Sequence, residues 1–317
     1  MEQLENIISP QLLKKAAQLD LGLGNHFPKQ MSQALEASVL KGGKRLRPLL
    51  VYLMCDLFEI SNDPRVETYA KAIELVHSAS LSHDDVIDNA TMRRNSPSIN
   101  LLLGNKKSIL TGDYLLGEVI VQVTNAKNLR LVQELAKVIQ DLAYGEWLQM
   151  DLLNKWPLTP KDIEEVARHK TASVMSWCCI VGPILSQRSE EICQLTRNFG
   201  LEFGLAFQLI DDILDMGDAE TGKDVLKDLQ SGTINRVLLE LISILGSETQ
   251  KPTIPATPWW TTQELQNAIN IVYQEANTKI TQAKNYLELL TTPENSINKS
   301  LNYLLDSLLF RIPILKQ

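Results

Sequence analysis

Two stretches of this chain, Pro64 to about Asn89 and Ser189 to about Met216, carry apolar residues at helical spacing without a break, and each finishes on the same carboxylate pattern. The first ends in Asp84-Asp85-Val86-Ile87-Asp88 and the second in Asp211-Asp212-Ile213-Leu214-Asp215. Residues i and i+4 of a helix share a face, so Asp84 and Asp88 stack one turn apart, as do Asp211 and Asp215. Each helix end therefore concentrates negative oxygen, which like-charge repulsion destabilises unless something cationic sits among the carboxylates. Magnesium, bridging carboxylates to substrate phosphates, is the natural candidate for an all-oxygen cluster.

The remainder of the chain reads as helix too. Strand-like alternation is scarce, and apolar residues recur at helical spacing with capping punctuation between the runs, so the expected fold class is all-α. Ser9-Pro10 and Asp63-Pro64 each place an N-cap residue before a proline at the first helical position. A further helix is expected to start near Gly112-Asp113 and carry Tyr114 to Val123. Another covers roughly Asn128 to Leu153, where Trp156-Pro157 stops it. Gly246 to Thr262, with three prolines and Trp259-Trp260, reads as a surface loop. No linker-like composition divides the 317 residues, so the expectation is a single domain, 1–317.

Charge narrows the partners. A net charge of -7 and a pI near 5.3 argue against nucleic acid, which usually needs a basic face. Anionic substrates must then be held by local basic clusters and metal. Cys55, Cys178, Cys179 and Cys193 have no metal-ligand spacing and read as reduced core residues of a cytoplasmic protein. The opening segment, MEQLENIISPQLLKK, has no basic region followed by an apolar stretch, and no apolar run reaches about 18 residues. Neither a signal peptide nor a transmembrane segment is expected.

Counting back from each acidic motif places polar partners on the same stripe. His77, Leu81, Asp84 and Asp88 fall at i, i+4, i+7 and i+11, and Gly204, Gln208, Asp211 and Asp215 do likewise. Arg93-Arg94 follow the first motif. Upstream lies Gly42-Gly43-Lys44-Arg45-Leu46-Arg47-Pro48, whose Lys44 and Arg47 can share a helical face. Guanidinium forks suit diphosphate oxygens, and a lysine supplies a compact charge. Singly, each feature has a blander reading: an acidic helix end is commonly solvated, a lone histidine is commonly a satisfied core residue, and arginines are commonly surface charge. Two matching acidic clusters beside two basic ones reverse that weighting and describe a metal-bridged diphosphate site. Gly112-Asp113, and Glu146 with Gln149, read as structural polar residues lining helix contacts, and Trp259-Trp260 as loop packing.

Six segments, GGKRLRP (42–48), HSASLSHDDVIDNATMRR (77–94), GDYLL (112–116), GEWLQ (145–149), HKTAS (169–173) and FQLIDDILD (207–215), resemble the motif set of the trans-type polyprenyl diphosphate synthases, in order and at family spacing. The resemblance covers nearly the whole chain. It implies the class I isoprenoid synthase fold, with antiparallel helices around a central cavity, usually as a homodimer. It implies that Asp84 and Asp88, with Asp85, hold two magnesium ions, and that Asp211, assisted by Asp212 and Asp215, holds a third. Arg93, Lys170, Thr171, Gln208 and Lys223 match contacts to the allylic diphosphate. Lys170, Thr171 and Gln208 match the dipoles that face the allylic cation. Lys44, Arg47, His77 and Arg94 match the pocket for isopentenyl diphosphate. Three departures stand out: Asn95 replaces the usual glycine after the two arginines, Thr233 stands where a lysine is common, and Arg236-Val237 replaces a frequent Leu-Pro pair. Asn95 removes no ligand, and for the segment after the second motif, weaker pyrophosphate binding with activity retained is the expected consequence.

Chain length can be approached through space. The growing tail is expected to run alongside the Pro64 to Asn89 helix, where Ala79 and Ser80, one turn before Asp84, are small. Synthases that stop at shorter products often place aromatic residues there. With one isoprene per helical turn of roughly 5.4 Å, a floor two or three turns deeper, at Ile120, Val121 and Val123, suits a product of about thirty to forty carbons. The expected activity is an octaprenyl-like synthase that extends farnesyl or a similar allylic diphosphate for quinone side chains, with transient membrane contact for product release. The alternatives are a geranylgeranyl or farnesyl diphosphate synthase, a non-catalytic subunit of a heteromeric synthase, and a class I terpene cyclase. The six retained carboxylates argue against the subunit, and the isopentenyl diphosphate pocket argues against the cyclase.

Overall fold

A computed structural model describes residues 7–23, 27–41, 45–93, 95–153, 155–216, 233–246 and 261–311. Lys44, Arg94 and Lys223, Trp259-Trp260 and most of the expected 246–262 loop lie outside the described residues. The chain gathers into two compact units, Met1–Ile139 with Trp177–Cys193 and Gln140–Ser176 with Gln194–Gln317. The all-helical expectation holds: among the described residues, extended structure is confined to β1 (Met92–Arg93) and β2 (Ser96–Pro97), an antiparallel pair.

The first unit contains α1 (Pro10–Ala17), α2 (Lys29–Ala37), α3 (Leu46–Leu57), α4 (Arg65–Ile87), α5 (Ile99–Leu103) and α6 (Asn105–Asn125). Its spine is α4, which packs against both α3 and α6. The α4 helix buries Tyr69, Ile73, Leu75, Val76 and Ala79, and this wide apolar surface marks a helix enclosed by others. Tyr69 meets Trp177 edge-on at 6.1 Å between ring centroids. The start of α4 is fixed by Asp63, whose carboxylate accepts the Arg65 backbone N–H at 2.8 Å and the Arg65 Nη2 donor at 2.6 Å. The Arg65 hydrogen bond holds the Asp63 carboxyl below the usual carboxylate range.

One expected boundary moves. α6 starts at Asn105, well before Gly112-Asp113, because Gly104, at φ 78, ends α5 and the polar residues after it form a solvated first turn. Gly112 lies mid-helix beside the ring of His83 on α4, and His83 Nε2 stands 3.4 Å from Asp113 Oδ1. The pair thus marks a helix contact. The expected chain-length residues also separate. Ala79 and Val123 are fully buried and Ser80 is half-buried, but Ile120 and Val121 stand 39% and 55% exposed. At 3.6 residues per turn, these neighbours point to different sides of α6.

Chain order continues through α7 (Leu129–Leu152), α8 (Pro160–Ala167), a five-residue π turn (Arg168–Ala172), α9 (Ser173–Leu185) and α10 (Glu190–Asp215). The last elements are α11 (Arg236–Ile244), α12 (Thr262–Leu290) and α13 (Ser296–Leu309). Reciprocal capping boxes start two of these helices, Thr159 with Asp162 and Thr261 with Glu264. In the second unit α12 packs against α11 and α13. It buries Ala268, Ile269, Val272, Ala276, Ile280, Ala283 and Leu287, a stripe at three- and four-residue steps.

All four cysteines are buried and free of disulfides. Burial pushes the Cys178 and Cys179 thiols well above their ordinary value, which makes them poor nucleophiles. Among the described residues no helix is long and apolar enough to cross a membrane.

Candidate active site

At the end of α4 the three carboxylates of the first motif divide into two roles. Asp84 is half-buried and Asp88 is exposed, whereas Asp85 is fully buried. Both Asp85 oxygens are engaged by the protein. Arg93 donates to Oδ1 from Nε at 2.7 Å and Nη2 at 2.6 Å, and the Ile99 backbone N–H, at the start of α5, donates to Oδ2 at 3.2 Å. One carboxylate thus ties the helix end to β1 and to the next helix. The hairpin turn places Asn95 at φ 59, in the left-handed region that asparagine tolerates better than most residues, so asparagine in place of glycine keeps the turn.

Further along this unit, the unbroken α4 keeps half-buried His77 on the stripe of Asp84 and Asp88, and half-buried Arg47 lies in the first turn of α3. Arg45, from the same basic segment, is instead tied to buried Glu74 at 2.5 Å. The helix that carries Arg47 begins at Leu46, and the shared face expected with Lys44 falls outside the described residues.

The second motif shows the same division. Asp211 and Asp215 are half-buried, whereas Asp212 is 4% exposed. Gln208 Nε2 donates to Asp212 Oδ1 at 2.9 Å, and the Arg236 backbone N–H, at the start of α11, donates to Oδ2 at 3.0 Å. Asp85 and Asp212, expected among the metal ligands, each accept the backbone N–H that starts a following helix, and Asp84, Asp88, Asp211 and Asp215 are the less buried carboxylates of the two motifs. The Arg236-Val237 departure also gains a reason. Buried Arg236 pairs with Glu275 at 2.5 Å and Glu240 at 2.8 Å, linking α11 to α12. Burial opposes its charge, yet the two carboxylates hold its guanidinium above the ordinary value.

Lys170 and Thr171 sit on the π turn, a wider turn than the α-helices around it and one that recurs at functional sites. Thr171 Oγ1 donates to Gln208 Oε1 at 2.7 Å, so a continuous chain runs Thr171–Gln208–Asp212. Gly204 permits this approach: a Cβ there would lie 2.4 Å from the Ala172 Cα. Three residues named separately from the sequence are thereby joined in one network. Glu146 and Gln149, read as structural polar residues, instead meet Lys170: its ammonium donates to Glu146, and to Gln149 Oε1 at 3.0 Å.

Sequence reasoning missed Arg311. Its Nη2 lies 2.7 Å from Asp211 Oδ1, and its guanidinium stands 5.0 Å from the Phe207 ring centroid. Nothing local signals this pairing, since the partners are 100 positions apart.

Among the described residues no three acidic, histidine or cysteine side chains gather into a closed metal cage. Magnesium fits such a donor set because it typically takes one or two carboxylates and completes its octahedron with water and substrate phosphate.

A family model described as Polyprenyl synthetase matches residues 28–288. The chain belongs to the polyprenyl synthetase family. A prenyl transferase of Synechocystis sp. is 38% identical over 61% of this chain and 61% of its own length. The chain thus spans about three fifths of that relative. Solanesyl-diphosphate synthase 2, chloroplastic, of Oryza sativa subsp. japonica is 31% identical over 86% of this chain and 69% of its own. Among solved structures, a decaprenyl diphosphate synthase from Rhodobacter capsulatus superposes with a TM-score of 0.82, at 26% identity, over 98% of this chain and 99% of its own. A polyprenyl synthase from Caulobacter crescentus, solved with calcium and isoprenyl diphosphate, gives a TM-score of 0.78 at 27% identity over 94% and 92%. This polyprenyl synthetase has the all-helical fold of these isoprenyl diphosphate synthases.

Proposed function

We propose that this polyprenyl synthetase adds isopentenyl diphosphate units head-to-tail to an allylic diphosphate, farnesyl or similar, and releases an all-trans, octaprenyl-like product. The observation that carries the reading is the Thr171–Gln208–Asp212 chain beside Lys170 on the π turn. It presents a cation, a hydroxyl and an amide next to the second acidic motif.

In this reading Asp84, Asp88, Asp211 and Asp215 would hold magnesium, three ions in all. Bound there, magnesium would supply positive charge against that growing on the departing diphosphate. A neighbour's calcium and isoprenyl diphosphate support a divalent cation beside such a group. Lys170, with Arg93 and Lys223, adds positive charge at the allylic diphosphate, and Lys44, Arg47, His77 and Arg94 hold that of isopentenyl diphosphate. The Thr171 hydroxyl donates a hydrogen bond to Gln208 Oε1, which leaves its lone pairs for the allylic cation. The homoallylic double bond then attacks that cation, and proton loss leaves a product one isoprene longer. Buried Ala172, Phe203 and Ala206 help keep quenching water from the reactive turn.

Small, buried Ala79 and the solanesyl and decaprenyl names of the relatives support a medium or long product. Exposed apolar residues on α6 and α7, Leu110, Val121 and Trp147 among them, support a homodimer. Four buried free thiols support a reducing compartment, the cytoplasm in the simplest case.

Incubation with farnesyl diphosphate, radiolabelled isopentenyl diphosphate and magnesium, followed by chromatography, tests the proposal. Labelled products beyond twenty carbons are expected. Arrest at twenty identifies a shorter-chain synthase, silence a non-catalytic subunit, and a cyclic hydrocarbon from allylic substrate alone a cyclase.

A further inference from the structure

We infer that Gly145, Glu146 and Gln149 of α7 form a cradle that positions the Lys170 ammonium, which makes Glu146 and Gln149 positioning residues for the allylic diphosphate contact. The inference rests on the proposed prenyl transfer for its kinetic consequence but not for its geometry. Three observations converge on it.

First, the Lys170 ammonium donates both to the Glu146 carboxylate and to Gln149 Oε1, at 3.0 Å for the latter. Glu146 is only 8% exposed, and a buried carboxylate is costly to keep charged without a partner. Lys170 is that partner. Second, the lysine stem lies directly over Gly145. A Cβ at Gly145 would come within 2.7 Å of Lys170 Cγ and 2.9 Å of His169 Cβ. The glycine therefore opens the space through which the side chain crosses α7. Third, the turn before the lysine is held by the same helix: Asp141 Oδ1 lies 2.9 Å from His169 Nδ1, and the Tyr144 ring meets the His169 ring edge-on at 4.8 Å. Asp141, Gly145 and Gln149 recur every four residues and share one face of α7. That stripe grips consecutive side chains of the π turn, and the segment GEWLQ thereby acquires a physical reason.

A lysine amine on four rotatable carbons is a poor point of reference unless its tip is held, because its rotamer freedom is large. The cradle removes that freedom before substrate arrives. It also keeps the amine in a place from which a more highly charged diphosphate can draw it.

The test follows Lys170 directly. In the full chain, acetic anhydride labelling of Lys170, read by mass spectrometry of its peptide, is expected to run about tenfold faster in Glu146→Gln than in wild type, the equivalent of one charge-assisted hydrogen bond. The same variant should raise KM for farnesyl diphosphate about tenfold while KM for isopentenyl diphosphate stays within about twofold. The exchanged pair, Glu146→Gln with Gln149→Glu, returns a carboxylate to the cradle and should recover most of both effects. A residue that merely fills a helix contact gives no such recovery. Should Glu146→Gln fail to fold, Gln149→Ala, at a half-buried position, should move both readouts the same way by about threefold. Labelling at the wild-type rate in these variants overturns the cradle, as do equal rises in both KM values without recovery in the exchanged pair. Faster labelling with an unchanged KM for farnesyl diphosphate upholds the cradle and counts against the proposed function alone.

Discussion

At the end of α4, the buried middle carboxylate Asp85 is held by a guanidinium and one backbone N–H; at the end of α10, its counterpart Asp212 is held by a neutral amide and one backbone N–H. Among the outer carboxylates, Asp211 carries an ion pair to Arg311. The same five-residue pattern thus uses its second aspartate to staple the helix end to the next element. In the first motif an arginine reaches the anchor. In the second, an arginine reaches the outer carboxylate.

The largest expected effect tests whether outer and middle carboxylates really differ. Asp84→Ala and Asp211→Ala should each lower kcat by about three orders of magnitude or more, with the thermal unfolding midpoint near wild type. Turnover near normal in either variant would contradict the metal assignment. Next come the anchors. Asp85→Asn breaks a buried ion pair and should cost about 3 kcal/mol in urea unfolding, whereas Asp212→Asn weakens the bonds from the Gln208 amide and the Arg236 backbone and should cost about 1 kcal/mol. Equal losses would erase the distinction drawn between the motifs.

A smaller effect concerns Arg311. Arg311→Gln removes the counter-charge from Asp211 and should tighten magnesium binding at the second motif by about fivefold in calorimetric titration, leaving the first unchanged. The smallest lies at the far ends of the two helices. Asp63, expected as the N-cap, stands one residue before the N-cap Pro64 and accepts the Arg65 N–H of α4 at 2.8 Å, while Ser189 Oγ accepts the Ile192 N–H of α10 only at 3.4 Å. Asp63→Ala should therefore cost about 1 kcal/mol and Ser189→Ala clearly less, by urea unfolding. Because its folded value is depressed, the Asp63 contribution is complete above the unfolded carboxylate value of about 4 and fades as pH falls through the folded one. In Asp63→Ala that acid-side loss should shrink.

Periodicity and caps located α4, α7 and α10 within a residue or two, because helical spacing and capping chemistry are local. The start of α6 escaped because Asn105-Lys106-Lys107, polar and solvated, resembles a loop until Gly104 is seen to break the chain before it. At the site, the acidic stripes were legible from motif spacing, and the Lys170–Thr171–Gln208 set from the family resemblance. The two roles within each motif were not, since burial separates Asp85 from Asp84 and adjacent aspartates look alike in a string. Arg311 and the Lys170 cradle depend on contacts distant in sequence. That Ile120 and Val121 are exposed while Val123 is buried was not legible, because depth along a helix was counted without the direction each side chain takes.

Gly204 bears on what the reactive turn can tolerate. With Ala172 Cα 2.4 Å from the place a methyl group would occupy, even alanine there must push the π turn away from α10. The Thr171 hydroxyl would leave its amide partner in the same movement, although neither residue had been altered. The alignment of the reacting groups is set, at this one point, by hydrogen where every other amino acid brings carbon.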